Sequence, residues 1–417
     1  MSGTRASGAS QPPDAPGGAP GLPAPVWVLA AVAFVVALGF GIVVPAIALF
    51  ADSFGVGRTA VGLAVSAFAF FRLVTGPLGG RLVTRWGERP VLVAGCLTVA
   101  VTSGVAGFAP SFPVFVLLRA AGGVGSAAFT IAAVTLLLRV APERARARAT
   151  ATFQGGFLLG GMVGPAFGGL LTDVAVWLPF VTYGTTLVVA ALVARLGLPS
   201  PPPQEQAAAA AAVPLPERLA AARRLLLHPV LAVALVANLG VGWMLFGVRN
   251  SLVTLYVVDL GGSATLAGVV LLLGAVAQGV TLRLAGGLAD TRGRRPALLL
   301  GSWLGAGFVG LLAVPVTGTV GLVLAAVGMA GFGVGAAFLA SAPGALVADV
   351  GRTGGRVAAL QMASDLGAVV GPLAAGALAD ASGYPLAFAV SAVVVGVAGV
   401  AALRMPETAP DVVARTR

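Results

Sequence analysis

The sequence predicts an all-α polytopic membrane protein with twelve transmembrane helices in two six-helix bundles, related by a pseudo-twofold axis along the membrane normal. Three observations predict this class: the composition, a series of long apolar runs and an internal repeat. Of the 417 residues, 58% are hydrophobic and 9% are charged, whereas a soluble globular protein carries roughly 25% charged residues. So few charges could not solvate a water-facing surface of this size, and lipid is therefore the expected solvent.

Twelve apolar runs are long enough to cross a bilayer, which requires about 20 residues of helix. Charged residues and Pro/Gly clusters bound the first six runs at 26–50, 59–80, 90–109, 113–138, 149–172 and 176–195. The second six are bounded at 229–257, 265–286, 296–315, 320–347, 357–379 and 385–403. Strands of a membrane barrel would be about half as long and alternate in polarity, and these runs do neither.

The runs divide the chain into five parts. Residues 26–195 are the predicted N-terminal bundle and residues 229–403 the C-terminal bundle, joined by a cytoplasmic linker at 196–228. Residues 1–25 are rich in Pro, Gly, Ala and Ser and are expected to form a disordered cytoplasmic tail. Residues 404–417 are expected to form a second cytoplasmic tail.

The basic residues predict the orientation in the membrane. All 25 are arginine, and the formal net charge is +11. Twenty lie in the two tails and in alternate loops, the opposite loops hold only Arg58, and four lie inside spans. The positive-inside rule then places both termini in the cytoplasm of a multi-pass protein of the cell (inner) membrane. The basic balance is thereby explained by topology, and we expect no nucleic-acid partner.

The composition argues against several kinds of chemistry. A single cysteine, Cys96, and a single histidine, His228, leave no disulfide within the chain and no expected metal site. No Gly-x-x-x-x-Gly-Lys-Ser/Thr phosphate loop is present, so we expect no ATP hydrolysis and no cofactor. An intramembrane enzyme would need paired acids or a nucleophile cluster within the spans, where only Asp365 is found.

Two segments recur at a nearly constant shift, which indicates duplication of a six-helix unit. Residues 80–90 recur at 286–296, a shift of 206 residues, and residues 160–169 recur at 367–376, a shift of 207 residues. An even number of helices in each unit makes the two repeats parallel, with their axis along the membrane normal.

These repeated segments resemble motifs of the major facilitator superfamily, and more narrowly of its twelve-span drug:proton antiporter branch. The resemblance covers nearly the whole chain after the N-terminal tail. Residues 80–90 resemble the loop motif between the second and third helices, Gly-x-Leu-x-Asp-Arg-x-Gly-Arg-Arg, and residues 119–125 resemble the fourth-helix motif, Arg-x-x-x-Gly-x-Gly. Residues 160–169 fit the fifth-helix antiporter motif, Gly-x-x-x-Gly-Pro-x-x-Gly-Gly.

The fifth-helix motif implies a close, bent helix seam between the two halves. Paired glycines let another helix approach, and proline bends the helix that contains it. The residues expected at this seam are Gly160, Gly164, Pro165, Gly168, Gly169, Gly371 and Pro372.

The loop motif implies a conformational latch built from acids and arginines. Its expected members are Gly80, Thr84, Arg85, Gly87, Arg89, Asp290, Gly293 and Arg294. The first copy departs from the pattern, because Thr84 replaces the usual Asp and Glu88 replaces an Arg. We therefore hypothesise that Asp365 supplies the missing carboxylate to Arg85 or Arg89.

Charged side chains inside the spans are the candidates for substrate binding and proton coupling, because a charge near the bilayer centre usually faces a cavity or a partner. These candidates, together with two polar neighbours, are Arg72, Arg119, Arg249, Asp365, Asn250 and Gln154. Arg119 either bonds backbone carbonyls opened near Pro45 or, as the resemblance implies, takes part in proton coupling. Asp365 is either the proton carrier or half of a structural ion pair.

The leading functional prediction is a monomeric secondary-active exporter that works by alternating access and uses the proton gradient. Its expected partners are a small amphiphilic substrate, protons and the lipid bilayer. With three arginines, Arg72, Arg119 and Arg249, against one aspartate among these candidates, the cavity is expected to be net positive and to prefer neutral or anionic amphiphiles over quaternary cations. An uptake permease of the same fold and a non-transporting membrane scaffold remain alternatives.

Overall fold

The computed structural model describes residues 21–200, 228–350 and 354–409, and all regular structure within them is helical. Most of the predicted N-terminal tail, nearly all of the predicted linker and residues 410–417 lie outside the described residues.

The first half consists of six long helices. They are α1 (Ala24–Asp52), α2 (Arg58–Trp86), α3 (Glu88–Ala106), α4 (Phe112–Val140), α5 (Arg146–Val174) and α6 (Leu178–Gly197). A single 3₁₀ turn, Glu143–Ala145, precedes α5.

The second half repeats this order. Its helices are α7 (Pro229–Asp259), α8 (Ala264–Thr291), α9 (Arg294–Leu311) and α10 (Gly318–Val350), followed by the helical segment Gly354–Leu403. That last segment bends at Gly383, where the backbone leaves helical angles, and so comprises two helices, α11 (354–382) and α12 (384–403). The prediction of twelve helices in two six-helix bundles is confirmed.

The helix ends differ from the predicted spans most at the loop motif. Helix α2 continues past residue 80 to Trp86, and α8 continues past residue 286 to Thr291. The chain then turns at Gly87 (φ 85°) and Gly293 (φ 113°), a backbone region that side chains with a Cβ rarely enter. Most of each loop motif is therefore the last turn of a helix rather than a loop.

The middle of α7 is a π-helix, Trp243–Leu252. It packs on α11, because a Cβ added to Gly247 would lie 2.6 Å from the backbone carbon of Gly371. No sequence pattern predicted this stretch. π-helical turns are rare and are often found at functional sites.

Two helix pairs join the halves, α2 with α11 and α5 with α8. Their contacts are related by the repeat: a Cβ on Gly62 would lie 2.1 Å from the carbonyl oxygen of Pro372, and one on Gly268 would lie 2.4 Å from that of Pro165. Each glycine thus packs directly on the backbone at the proline of the opposite half. The close contacts leave a cavity between the halves.

Candidate functional site

The cavity encloses about 400 Å³ and is lined from both halves. Most of its wall is apolar, with phenylalanine rings from six helices. Its polar lining is contributed by Arg72, Ser126, Thr130, Tyr183, Arg249, Asn250 and Gln278. A site of this size and polarity suits a small amphiphilic molecule.

An ion pair between Arg72 and Asp365 bridges the halves beside this cavity. The Arg72 guanidinium donates to Asp365 Oδ1, and Gln361 Nε2 donates to the same oxygen at 3.1 Å. Arg72 lines the cavity and lies 6.0 Å from the ring centroid of Phe246, whereas Asp365 is 8% exposed and lies behind it. The pair joins α2 to α11, so the charge of one half is balanced from the other.

The hypothesis that Asp365 pairs with Arg85 or Arg89 is wrong. Arg85 is thirteen residues after Arg72 on the same helix, about 20 Å away at 1.5 Å per residue, and its side chain is exposed. Arg89 donates instead to the carbonyl oxygen of Leu198 at 3.0 Å, at the end of α6. Depth in the membrane decides which arginine Asp365 can reach.

Arg249 and Asn250 lie side by side in the π-helical stretch of α7, and both line the cavity. The Nε of Arg249 is buried without a hydrogen-bond partner. Among the residues that the structure describes, no carboxylate forms an ion pair with this guanidinium. Arg249 is therefore a cation on the cavity wall without a counter-ion in the described part of the chain.

Arg119 is buried on α4, 3% exposed, and does not line the cavity. Its guanidinium lies 4.7 Å from the ring centroid of Phe68, which does line it. The expected hydrogen bonds to carbonyls near Pro45 do not form within the described chain, and Nε is unpartnered. A cation–π contact replaces them.

Gln154 is not brought to the site. Its side chain is exposed on α5 and is absent from the cavity lining. Its repeat counterpart, Gln361, does reach a candidate residue, since it donates to Asp365. The two copies of the repeat have diverged here, since only the second places an acid one turn further along the helix.

The glycines of the predicted seam pack mainly within one half, which corrects the expectation. Added Cβ atoms on Gly160, Gly164 and Gly168 would meet the backbone of α1 at 2.3, 2.6 and 2.1 Å. Gly371 likewise packs on the backbone of Trp243 in α7. The contacts between halves come from Gly169, against Ala264, and from the carbonyls of Pro165 and Pro372.

The latch residues lie at the Arg-rich face, the side that carries the arginine-containing loops. In the second half, Arg294 pairs with Asp290 and, from Nε at 3.3 Å, with Asp349 at the end of α10. In the first half, Thr84 donates to the carbonyl of Gly80 at 2.9 Å and takes no part in an ion pair.

Instead, the first half carries a buried ion pair of reversed polarity. Glu88 begins α3 and accepts from Arg139, near the end of α4, at 2.9 and 3.1 Å. Glu88 is the counterpart of Arg294, and Arg139 that of Asp349. The substitution of Glu for Arg in the motif is thus matched by an opposite exchange on the neighbouring helix.

At the opposite, Arg-poor face, two aspartates cap helices of the other half. Asp173, at the end of α5, accepts from the backbone N–H groups of Ala264 and Thr265 at 3.0 and 2.9 Å. Asp380, on α11, accepts from those of Arg58 and Thr59, both at 2.8 Å. We call these two contacts the interdomain caps. The Thr265 and Thr59 hydroxyls complete them.

No functional role was predicted for these two aspartates from the sequence. The signal was available, because Asp173 and Asp380 are 207 residues apart and Thr59 and Thr265 are 206 apart, matching the repeat. Arg58 adds a further link between the halves by pairing with Asp259 at 2.7 Å, and Tyr384 donates to the same carboxylate at 2.6 Å.

Comparison with sequence families gives one result for most of the chain. The profile of the Major Facilitator Superfamily matches residues 29–261 and again 247–416.

Among curated proteins, Multidrug resistance protein 1 of Bacillus subtilis is 30% identical over 169 residues, which cover 40% of this chain and 43% of that protein. Quinolone resistance protein NorA of Staphylococcus aureus is 28% identical over 174 residues, covering 40% and 44%. The matched region spans less than half the length of each of these relatives.

Solved structures agree with the fold over nearly the whole length. A bacterial homolog of the human lysosomal transporter Spinster, in an inward-facing and unoccupied conformation, superposes with a TM-score of 0.74 and 17% identity, covering 91% of this chain and 96% of that one. The inward-open xylose transporter XylE from E. coli superposes with a TM-score of 0.65 and 17% identity, covering 94% and 99%.

Proposed function

The chain belongs to the Major Facilitator Superfamily, and from that premise we propose that it exports small amphiphilic molecules in exchange for protons by alternating access. The chain is an integral multi-pass membrane protein with a transporter fold. The multidrug and quinolone resistance names of two partial relatives support the direction of export. The amphiphilic cavity supports the class of substrate.

The orientation proposed is that the Arg-rich face is cytoplasmic, together with both termini, in the cell membrane. The interdomain caps and the Arg58–Asp259 pair then hold the halves together at the outer face. Hydrogen bonds between described residues of the two halves lie at that face or beside the cavity. This arrangement corresponds to a state that is closed to the outside.

The observation that carries the coupling proposal is the Arg72–Asp365 ion pair. Its partners come from different halves and one of them lines the cavity, so its charge state affects both the α2–α11 contact and the electrostatics of the site. Protonation of Asp365 removes the negative charge that holds Arg72. Because the pair joins two rigid bundles, that local change biases their relative position.

The test uses purified protein in liposomes with an imposed pH gradient and a panel of amphiphilic compounds. We expect wild-type protein to move a compound against its gradient when protons flow in the opposite direction. Asp365→Asn should abolish this gradient-driven transport while leaving compound–compound exchange, which needs no net proton movement. Glu143→Gln is the control, because the Glu143 side chain is 86% exposed at the Arg-rich face.

Two results would contradict the proposal. Asp365→Asn protein that still concentrates a compound in response to the pH gradient would exclude Asp365 as the proton site. Compound flux in the same direction as the protons would indicate an uptake permease instead.

A further inference from the structure

We propose that Arg249 and Asn250 form an anion-binding subsite in the cavity, and that the transported molecule carries one acidic group on an apolar body. Carboxylates, sulfonates and phosphate monoesters share the required chemistry. The inference rests on the proposed function and deepens it, because it names the substrate class of the same cavity.

The cavity wall carries an uneven charge. Among the described residues, its lining includes two arginines, Arg72 and Arg249, and no acidic residue. Arg72 is already balanced by Asp365, which lies behind it. Arg249 has no counter-ion among the described residues and its Nε is buried without a partner, so one positive charge on the wall remains uncompensated.

An unpaired charge of this kind is costly. A charged side chain deep inside a membrane span is usually offset by a partner or faces a water-filled cavity. The described part of this chain supplies none to Arg249. A ligand anion would remove the deficit, whereas a cationic ligand would be repelled by Arg249.

Hydrogen-bond donors surround Arg249 on the cavity wall. Guanidinium groups bind carboxylate and phosphate oxygens through paired, charge-assisted N–H donors. Asn250 follows Arg249 in the π-helix, and Gln278 on α8 lines the same cavity; each amide adds N–H donors. The packing of Gly247 on Gly371 keeps this stretch close to α11. The acidic group of a ligand can therefore bind the Arg249 guanidinium and accept further hydrogen bonds from the neutral amides of Asn250 and Gln278.

The rest of the wall suits an apolar, aromatic body. The rings of Phe40, Phe68, Phe157, Phe246 and Phe332 all line the cavity. Such a wall buries a flat apolar group and orients its acidic end towards α7. A monovalent amphiphilic anion fits both the aromatic wall and the Arg249–Asn250 subsite, whereas a small, fully hydrophilic anion fits only the subsite.

The test measures binding of three ligands with the same body: naphthaleneacetate, the matched naphthalene alcohol and the matched naphthalene amine. Purified full-length protein in nanodiscs is titrated at neutral pH by isothermal calorimetry, with no ion gradient. Wild-type protein should bind the acid at least about tenfold more tightly than the amine, as expected for gain or loss of one charge-assisted contact.

Three variants assign the preference to one residue. Arg249→Gln should weaken acid binding about tenfold and leave alcohol binding within about twofold, since only the charge-assisted contact is lost. Arg249→Lys should restore part of the acid preference. Arg283→Gln is the matched control, because Arg283 lies within a span of the second half but is exposed and outside the cavity lining.

The outcomes separate this proposal from the proposed function. Equal affinity of wild-type protein for acid and amine, or an equal loss of all three ligands in Arg249→Gln, would overturn the anion subsite and indicate a purely structural arginine. Because binding is measured without a gradient, the result does not depend on proton coupling. Conversely, failure of the Asp365→Asn transport test leaves the acid preference standing.

Discussion

At the scale of single residues, the two halves use the same ion pair with its charges exchanged. Glu88 on α3 pairs with Arg139 on α4, and Arg294 on α9 pairs with Asp349 on α10. Both pairs tie the start of the third helix of a bundle to the end of the fourth. The chemical requirement at this place is a balanced pair, and which helix carries which sign is secondary.

This equivalence predicts that the first pair tolerates reversal better than loss of one partner. Glu88→Gln removes the buried carboxylate that accepts from Arg139. Breaking a fully buried pair costs about 3–5 kcal/mol, and Arg139 is partly exposed, so the melting temperature in detergent should fall, but by less than that cost implies. The double variant Glu88→Arg, Arg139→Glu, which exchanges the two charges, should recover most of the lost stability.

The recovery should be incomplete because Glu88 also interacts with the N-terminal end of its own helix. Glu88 stands in the first turn of α3, where an acid favours the positive helix end by about 0.3–1 kcal/mol, and Arg at this place loses that gain. Arg139→Gln is the matched single variant. A double variant no more stable than the two singles would show that the halves are not equivalent here.

The partner of Asp365 was predictable in principle from depth alone. Arg72 is eight residues from the end of its predicted span at residue 80, and Asp365 is eight residues from the start of its span at residue 357. Both therefore lie roughly 12 Å from the same face. The hypothesis that Asp365 pairs with Arg85 or Arg89 rested on the acid missing from the first loop motif and did not take this depth into account.

At the scale of elements, the segment that follows α12 completes the second half's latch. Met405 and Ala409 are buried, and Glu407 accepts from the backbone N–H groups of Arg294 and Arg295 at 2.8 and 3.0 Å. An acid from outside α9 thus caps a helix whose own first residues are arginines. In the first half, the acid is part of α3 itself.

This cap predicts a specific pH dependence of stability. Burial alone would raise the pKa of Glu407, but hydrogen bonds from the backbone N–H groups of Ala409, Arg294, Arg295 and Thr408 outweigh it and hold this pKa below its usual range. A carboxyl with a depressed folded pKa stabilises above its unfolded pKa, near 4.3, and loses that contribution as the pH falls through the folded value.

Glu407→Gln should therefore lower the melting temperature at pH 7, and the difference from wild type should shrink as the pH is lowered below about 4. Glu143→Gln, at an exposed surface acid, should change neither the melting temperature at pH 7 nor its dependence on pH. A difference that stays constant from pH 7 to pH 3 would mean that Glu407 acts through packing rather than through its charge.

Elements and their order were predictable from sequence, whereas local helix geometry was not. The apolar runs predicted twelve spans because lipid demands one simple pattern from every crossing helix. The π-helix at Trp243–Leu252 depends on how α7 packs on α11, and no local pattern encodes it. Two cavity-lining polar residues, Arg249 and Asn250, lie on that stretch.

At the scale of the whole molecule, the interdomain caps join the two halves at the Arg-poor face. Each cap joins a carboxylate of one half to a helix N-terminus of the other, and the two are related by the repeat. Both helix pairs that join the halves end in one of these caps. Opening the Arg-poor face must break both, so the caps stabilise the closed state relative to the open one.

The caps predict that removing one carboxylate shifts the conformational equilibrium rather than unfolding the protein. Asp173→Asn or Asp380→Asn replaces a charged hydrogen-bond acceptor by a neutral one. Hydrogen bonds to a charged group contribute about 1.5–3 kcal/mol each. Loss of one such contribution corresponds to at least a tenfold shift towards opening of the Arg-poor face. Because the caps are equivalent, the two variants should behave alike, and the double variant should shift further.

The shift can be measured as a distance between spin labels at Ser111→Cys and Thr317→Cys, which lie between α3 and α4 and between α9 and α10 at that face. Replacing the buried Cys96 by serine leaves only the introduced thiols. The cap variants should add a longer distance, and Glu143→Gln should not. Unchanged distances in the double cap variant would mean that the glycine–backbone contacts of Gly62 and Gly268 are sufficient to hold this face closed.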